Sequence, residues 1–600
     1  MRASSLGAIA LLAALCPCAR AGEQSTVVDG VRITVGTHWP ETLNRGWQPA
    51  TVHVLNETDD DRDVDLTFSS GMGIGTDVVT KSVRVRGKGV EQFELALPAR
   101  PNASNAYTLT IQAGERRFIG NVGATTPSPV HERIVLVASR AGPSTVATAG
   151  WAAALSLESD PLAPETSERQ FSPGIGFVTP GAAALPATPE HVRVGGIAFE
   201  LLSSLPEAYT SLHAVVLDVE GGTPTRAPLD AILAWTRAGG VLAITGRGAR
   251  EFVAKEPALA RWAEERFLAR TGATLPIHAL GLGYLLVLEG TNRLAQADVV
   301  RVLNDAIEDL APLDGRVRRD FALPLPGTEV PFRALTLLLV LFAILVGPVN
   351  LILVRRSKRP ALLLLTIPAI AILFSVGLVG YGILAQGLQI RATSMTVGVL
   401  DQRVHHGSSE ERREVFAGLA TGSGLEPGAG SVVLRDQGGA FDYRNRREYR
   451  ADYGESLALS GAWLPVRTTT RFRVTTDRAS RGRVEVQHDA SGWKIVNGLD
   501  VTVTRLLLRD AEGEIHAFQG PIVPGRTASA AAIGPTADEI REFQDARVLA
   551  TSVREGGFLP LGTWIARVES SPLVDPLGLD YEAAHGRHVL LGVLDLADVR

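Results

Sequence analysis

The 600-residue chain has only two cysteines, Cys16 and Cys18, and both fall within its first 21 residues. Once that stretch is removed, no thiol remains to form a disulfide, attack a substrate or bind a metal, so stability must come from ordinary cores. The sequence also lacks a serine or cysteine nucleophile elbow, a phosphate-binding loop and a metal-spaced histidine cluster. A net charge of −5 is small for this length, which argues against nucleic acid as a partner and against a strong electrostatic clamp on a membrane. These absences predict a protein with no cofactor, no metal and no catalytic residues, and with room for three or four folded units.

What the chain does have is two long uncharged blocks, 334–354 and 361–384, separated by residues 355–360. Each is long enough to cross about 30 Å of hydrocarbon as a helix. The turn between them holds Arg355, Arg356, Lys358 and Arg359, and basic residues at a membrane end stay in the cytoplasm. The expectation is a transmembrane hairpin with both large flanks on the far side, and the lipid bilayer as its partner. Pro348 and Pro368 are tolerated in such helices, and Asn350 is expected to bond across the hairpin.

The first 21 residues agree with that topology. Arg2, a short apolar core and Ala19-Arg20-Ala21 have the anatomy of a secretory signal peptide. Both signals place residues 22–325 and 388–600 outside a bacterial inner membrane.

From 22 to 127 apolar and polar residues alternate in short runs such as Val64-Asp65-Leu66-Thr67-Phe68, separated by Gly, Pro, Asn and Asp. That pattern predicts an immunoglobulin-like β-sandwich. The acidic run 56–65 lacks the spaced Gly and closing Glu of a calcium loop and reads as a solvated hairpin.

From 128 to 325 the pattern changes to continuous apolar strands, 133–138, 213–218 and 240–245, with helices expected over 228–237, 249–271 and 295–310. Strands apolar on both faces and alternating with helices predict a parallel sheet covered on both sides. The strand ends carry Asp218, Glu220, Gly221 and Gly222, then Thr245, Gly246 and Arg247, where open α/β sheets bind ligands. The two carboxylates suit acid–base work and Arg247 suits a carboxylate or phosphate. Glycines in turns have backbone reasons of their own.

The order Ala214-Val215-Val216-Leu217-Asp218-Val219-Glu220-Gly221-Gly222, a helix through Trp235, then Gly240-Val241-Leu242-Ala243-Ile244-Thr245-Gly246 resembles the class I glutamine amidotransferase-like, flavodoxin-like fold. The resemblance implies a cysteine at the elbow after the second strand and a downstream His–Glu pair. Here Thr245-Gly246-Arg247-Gly248 fills the elbow, and His278 has no glutamate two residues on. The resemblance therefore implies fold without activity. The succession of leader, sandwich, this domain, Leu345-Val346-Gly347-Pro348-Val349-Asn350 and a basic turn is also similar to a group of bacterial membrane proteins of unassigned function.

After the blocks, strand patterning restarts at 388–400 and recurs at 430–434, 467–474, 483–488, 493–497, 501–508, 516–519, 563–568 and 588–594, with a helix expected over 536–549. This predicts a second β-rich exported domain over 388–600. Adjacent His405 and His406 point to opposite faces of a strand and make a poor metal site. The arginines of 444–450 read as a solvated face. The functional expectation is a non-catalytic envelope protein that binds or scaffolds protein partners. The alternative is an envelope hydrolase or transferase working near Asp218, Glu220 and Arg247.

Overall fold

The computed structural model describes residues 23–37, 39, 46–70, 76–99, 107–122, 133–140, 192–270, 277–289, 325, 332–357, 363–419, 424–435, 448–490, 492–531, 535–536, 540, 543, 559–583 and 586–599. The leader, the helix expected over 295–310, and Lys358 and Arg359 lie outside the described residues. The protein is built mainly of β-sheets, several of them packed as sandwiches, with few helices.

Eight strands open the chain: β1 Glu23–Val28, β2 Val31–Gly36, β3 Trp47–Asn56, β4 Arg62–Ser70, β5 Thr76–Val85, β6 Val90–Pro98, β7 Tyr107–Ala113 and β8 Arg116–Val122. They form two antiparallel sheets, β1-β2-β3-β6 and β5-β4-β7-β8. Alternation along each strand decides what is buried: Val64, Leu66 and Phe68 of β4 lie in the core while Asp63 and Asp65 face solvent.

Seven more strands follow: β9 Arg133–Ser139, β10 Val192–Ala198, β11 Ala214–Asp218, β12 Val241–Gly246, β13 Leu268–Arg270, β14 Ile277–Leu280 and β15 Gly283–Glu289. They make one sheet in the order β10-β9-β11-β12-β15-β14-β13, parallel through β15 and antiparallel beyond. Helix α1, Arg226–Arg237, buries Leu229, Ile232 and Leu233 as it crosses from β11 to β12. The single helix expected over 249–271 is not formed. Helix α2 is only Ala249–Lys255, Glu256 turns extended ahead of Pro257, and the chain passes through short helical turns into β13. Proline crowds the preceding residue out of the helical region, which is where the break falls.

The apolar blocks are helical: α3 Phe332–Ile344, a π-turn Leu345–Val349 around Pro348, α4 Asn350–Ser357 and α5 Leu363–Gln386. The rings of Phe342 and Phe374 meet at a tilt of 38° with centres 4.7 Å apart, so the two blocks lie side by side. Among the described residues one span, Thr336–Leu353, is long and apolar enough to cross a membrane, and only 6% of it is buried. Asn350 is buried, but its amide nitrogen has no hydrogen-bond partner among the described residues, so the expected bond across the hairpin through that nitrogen is not made.

The last fourteen strands are β16 Ile390–Asp401, β17 His406–Ala417, β18 Ser431–Arg435, β19 Glu448–Tyr453, β20 Leu457–Gly461, β21 Thr469–Ala479, β22 Arg483–Asp489, β23 Gly492–Gly498, β24 Val503–Arg509, β25 Ile515–Ile522, β26 Thr527–Ser529, β27 Thr563–Val568, β28 Glu582–Ala583 and β29 Arg587–Val593. Most join a large sheet in the order β18-β21-β17-β16-β29-β27-β24-β25, and β22-β23-β26 form a small one against it. The hairpin β19–β20 departs from the expected division of the chain. It joins the first sandwich, β19 running parallel to β5 from Glu448↔Thr76 to Asp452↔Thr80. Arg450, expected on a solvated face, therefore stands in a strand, although its side chain is exposed and pairs with Glu448.

Two hydrophobic cores cross the boundaries read from the sequence. One continues from the first sandwich into the last domain through Val433, Ala451, Trp463 and Phe472. The other runs from the parallel sheet into Leu507, Ile565 and Leu591 of the large sheet, and takes in Phe543 from the helix expected over 536–549. At that second junction Arg237 of α1 reaches Asp477 of β21 with two bonds, Nε at 3.0 Å and Nη2 at 2.7 Å.

Candidate functional site

Parallel pairing places the carboxyl ends of β9, β11, β12 and β15 in a row. Ser139 lies beside Asp218, Asp218 beside Thr245, and Thr245 beside Leu288, with Gly246 beside Glu289. The site residues read from the sequence are thus brought to one edge of the sheet.

Asp218 accepts the backbone amide of Glu220 at 3.1 Å, which closes the turn into Gly221-Gly222. Burial pushes its carboxyl above the ordinary range, the Glu220 amide pulls it back, and the charge of Glu220 pushes it up again. Gly221 takes φ +90 and its carbonyl accepts from Arg140 at 2.8 Å. Gly246 must be glycine: its φ is +101, and a Cβ there would lie 2.6 Å from Asp218 Oδ1 and 2.8 Å from the Glu220 nitrogen. The turn after β12 therefore packs onto Asp218 where a reacting group would sit.

Thr245 is buried, and its hydroxyl points at the Leu217 carbonyl at 3.5 Å. No base faces it. His278 stands on β14 opposite Leu285, which pairs with Leu242. That is three residues, or about 10 Å, back along the strands from Thr245. Arg247 is 85% exposed and lies 3.8 Å from Glu220, a solvated contact of little weight.

The residue that decides the character of this edge is Glu289, which the sequence reading did not single out. Its carboxylate accepts the backbone amides of Gly248 and Arg250, both at 3.0 Å, at the start of α2. Those two donors hold the carboxyl below its ordinary range. A helix start beyond a strand end is where a bound anion would sit in such a fold. Here the chain's own carboxylate takes the amides. Glu289 is the last residue of β15, 43 positions after Gly246, and only the strand order brings the two together.

A second polar cluster, also missed, lies between the parallel sheet and the large sheet. Asp477 accepts Arg237 twice, the Ser408 hydroxyl at 2.6 Å and a contact from His406 Nε2 at 2.8 Å. Burial pushes Asp477 up, but the bonds from His406 and Arg237 outweigh it and hold the carboxyl low. A buried carboxylate tied to Arg237, Ser408 and His406 serves as a joint between the two sheets. His406 is occupied there, and His405 takes a positive φ of 51 in the turn before β17. In the acidic run, Asp61 accepts the Gly87 amide and pairs with Arg84, and Asp59 lies 3.5 Å from Lys88. Among the described residues no group of three or more His, Cys, Asp or Glu is placed to hold a metal ion.

No family model matches the chain, and no curated protein matches it. Among solved structures, the X-ray structure of Northeast Structural Genomics Consortium target SoR45 is similar over 16% of this chain and 84% of its own, at 10% identity and a TM-score of 0.12. A Paenibacillus cycloisomaltooligosaccharide glucanotransferase is similar over 37% of this chain and 28% of its own, at 11% identity and 0.14. A putative β-galactosidase from Bacteroides fragilis is similar over 38% of each chain, at 8% identity and 0.14. The chain spans about a third of the length of those last two, and scores this low carry no assignment of fold or activity.

Proposed function

We propose that the chain is a non-catalytic envelope protein, anchored in a bacterial inner membrane by a two-helix hairpin, that binds or scaffolds protein partners. Its surfaces for this are the exported β-sandwiches and an amidotransferase-like domain without catalytic residues. The observation that carries the reading is that the segments before and after the apolar helices are knit into one body. β19 completes a sheet begun by β5, and Arg237 is bonded to Asp477. A body joined this way lies on one side of a bilayer, so helices between its halves cross an even number of times. That supports a hairpin with Arg355, Arg356, Lys358 and Arg359 in the cytoplasm and the body in the periplasm. The exposed side chains of Leu337, Leu339, Leu364 and Leu373 suit lipid.

The second reading, a hydrolase or transferase at Asp218, Glu220 and Arg247, is favoured by the raised Asp218 carboxyl. It is opposed by the closed turn at Gly246 and by the occupied amides of α2. The two readings part in one experiment: native purification in mild detergent of the wild type and of an Asp218→Ala, Arg247→Ala variant. The scaffold reading expects the same partners with both. Loss of a partner or bound small molecule from the variant alone overturns it in favour of the enzyme.

A further inference from the structure

We propose that the end of the C-terminal domain next to the helices rests on the bilayer, with Leu388, Leu419 and Val466 immersed among the lipid headgroups. The proposal rests on the membrane reading and adds a lipid-binding surface on the folded body. Helix α5 ends at Gln386, where Gly387 turns left-handed at φ +78 and stops it. If α5 crosses the membrane, Leu388 stands a few Å beyond its end, at about 1.5 Å per residue.

Backbone contacts then carry two further loops to the same level. The Gly418 amide donates to the Gln389 carbonyl at 3.3 Å, and a Cβ on Gly418 would meet the Gly387 and Leu388 backbone at 2.7 to 2.8 Å. Ala417 bridges to Val466, and the Arg467 amide donates to the Ala417 carbonyl at 2.8 Å. Three loops far apart in sequence thus meet at the exit of one apolar helix, and each presents a large apolar side chain outward. Leu388 is 47% exposed, Leu419 54% and Val466 44%.

A single exposed leucine is ordinary on a protein surface, but a group continuous with a membrane helix is not. Apolar side chains at this depth enter the boundary between headgroups and acyl chains, as interfacial segments do. Exposed Arg467 beside Val466 suits a lipid phosphate. At the helix entrance, exposed Phe332 supplies a further apolar side chain for the boundary between headgroups and acyl chains. Held at three loops and two helices, the body would have a fixed tilt on the bilayer instead of swinging from its anchor.

The test uses the full chain with Cys16→Ser and Cys18→Ser, so that one introduced cysteine carries an environment-sensitive fluorophore. Labels are placed by Leu419→Cys, Val466→Cys, Leu373→Cys within α5, and Val90→Cys, an exposed apolar position on the first sandwich. In vesicles of phosphatidylcholine and phosphatidylglycerol, labels at 419 and 466 are expected to shift to the blue, to be quenched by headgroup-proximal doxyl lipid and to escape iodide. The label at 90 behaves oppositely. If 419 and 466 match 90 while 373 is quenched by lipid, this inference is overturned and the anchor stands. If 373 is not quenched either, the membrane reading itself falls. Protection of 419 and 466 from both quenchers overturns the inference too, because protein then covers the patch.

Discussion

His588 of β29 is buried, with Nδ1 3.1 Å from the Thr396 hydroxyl. Burial, aided by the charge of Arg413, holds its imidazole down at about 4. The folded pKa lies below that of the unfolded chain, about 6.5, so below that pH the unfolded chain takes a proton that the folded one refuses. Stability from this residue is full above about 6.5 and falls as the pH drops towards 4, by roughly 3 kcal/mol. Denaturant unfolding of the solubilised protein at pH 7 and 4.5 should show a drop that His588→Asn removes. An equal drop in both proteins refutes the assignment. Other residues mark how far sequence reasoning reaches at this scale. Asp218 and Thr245 were legible as strand ends because apolar runs stop there. The cap by Glu289 was not, because two donors and one acceptor from distant segments meet only once the strand order is known.

The strand β17, HGSSEERREVFA, was not among the strands expected from the sequence, yet it runs between β16 and β21. Glu411 and Arg413 are two residues apart, so they share a face, and that face is buried with the pair joined by two bonds at 2.8 and 2.7 Å. Charge patterning cannot distinguish a buried pair from two solvated charges, and the strand went unread for that reason. The strands of the first sandwich were legible because only one face of each is apolar. Hairpin β19–β20 was not read from the sequence, and its pairing with β5 could not be, since its alternation suits any half-buried sheet and nothing local names its neighbour. Proline in a central strand removes a ladder bond, which is why it is confined to edges and bulges. Ala451→Pro, at a buried position opposite Val79, should therefore raise the rate at which protease cuts within residues 22–127. An unchanged pattern of cleavage means that the sandwich holds without β19.

For the molecule as a whole the strongest constraint is topological. A body assembled from both flanks fixes the sidedness of everything between them, independently of the basic turn. Alkaline phosphatase fused after Leu388 or after Arg600 should be active, and fused after Ser357 inactive. Activity at 357 with silence at the other two places the body in the cytoplasm. Activity at only one of the two outer positions is incompatible with a one-sided body. Sequence reading found the apolar blocks because each is a long uncharged run, whereas the union of the flanks comes from contacts hundreds of residues apart.

That union also sets a timetable. Glu448 follows Val85 by about 360 residues. At the usual pace of synthesis, about 5–20 residues per second, the edge of β5 emerges some 20–70 s before the strand that covers it. During that interval an unpaired β-edge is open to any other extended chain nearby. The open edge of β5 must therefore stay shielded until β19, synthesised hundreds of residues later, arrives to cover it.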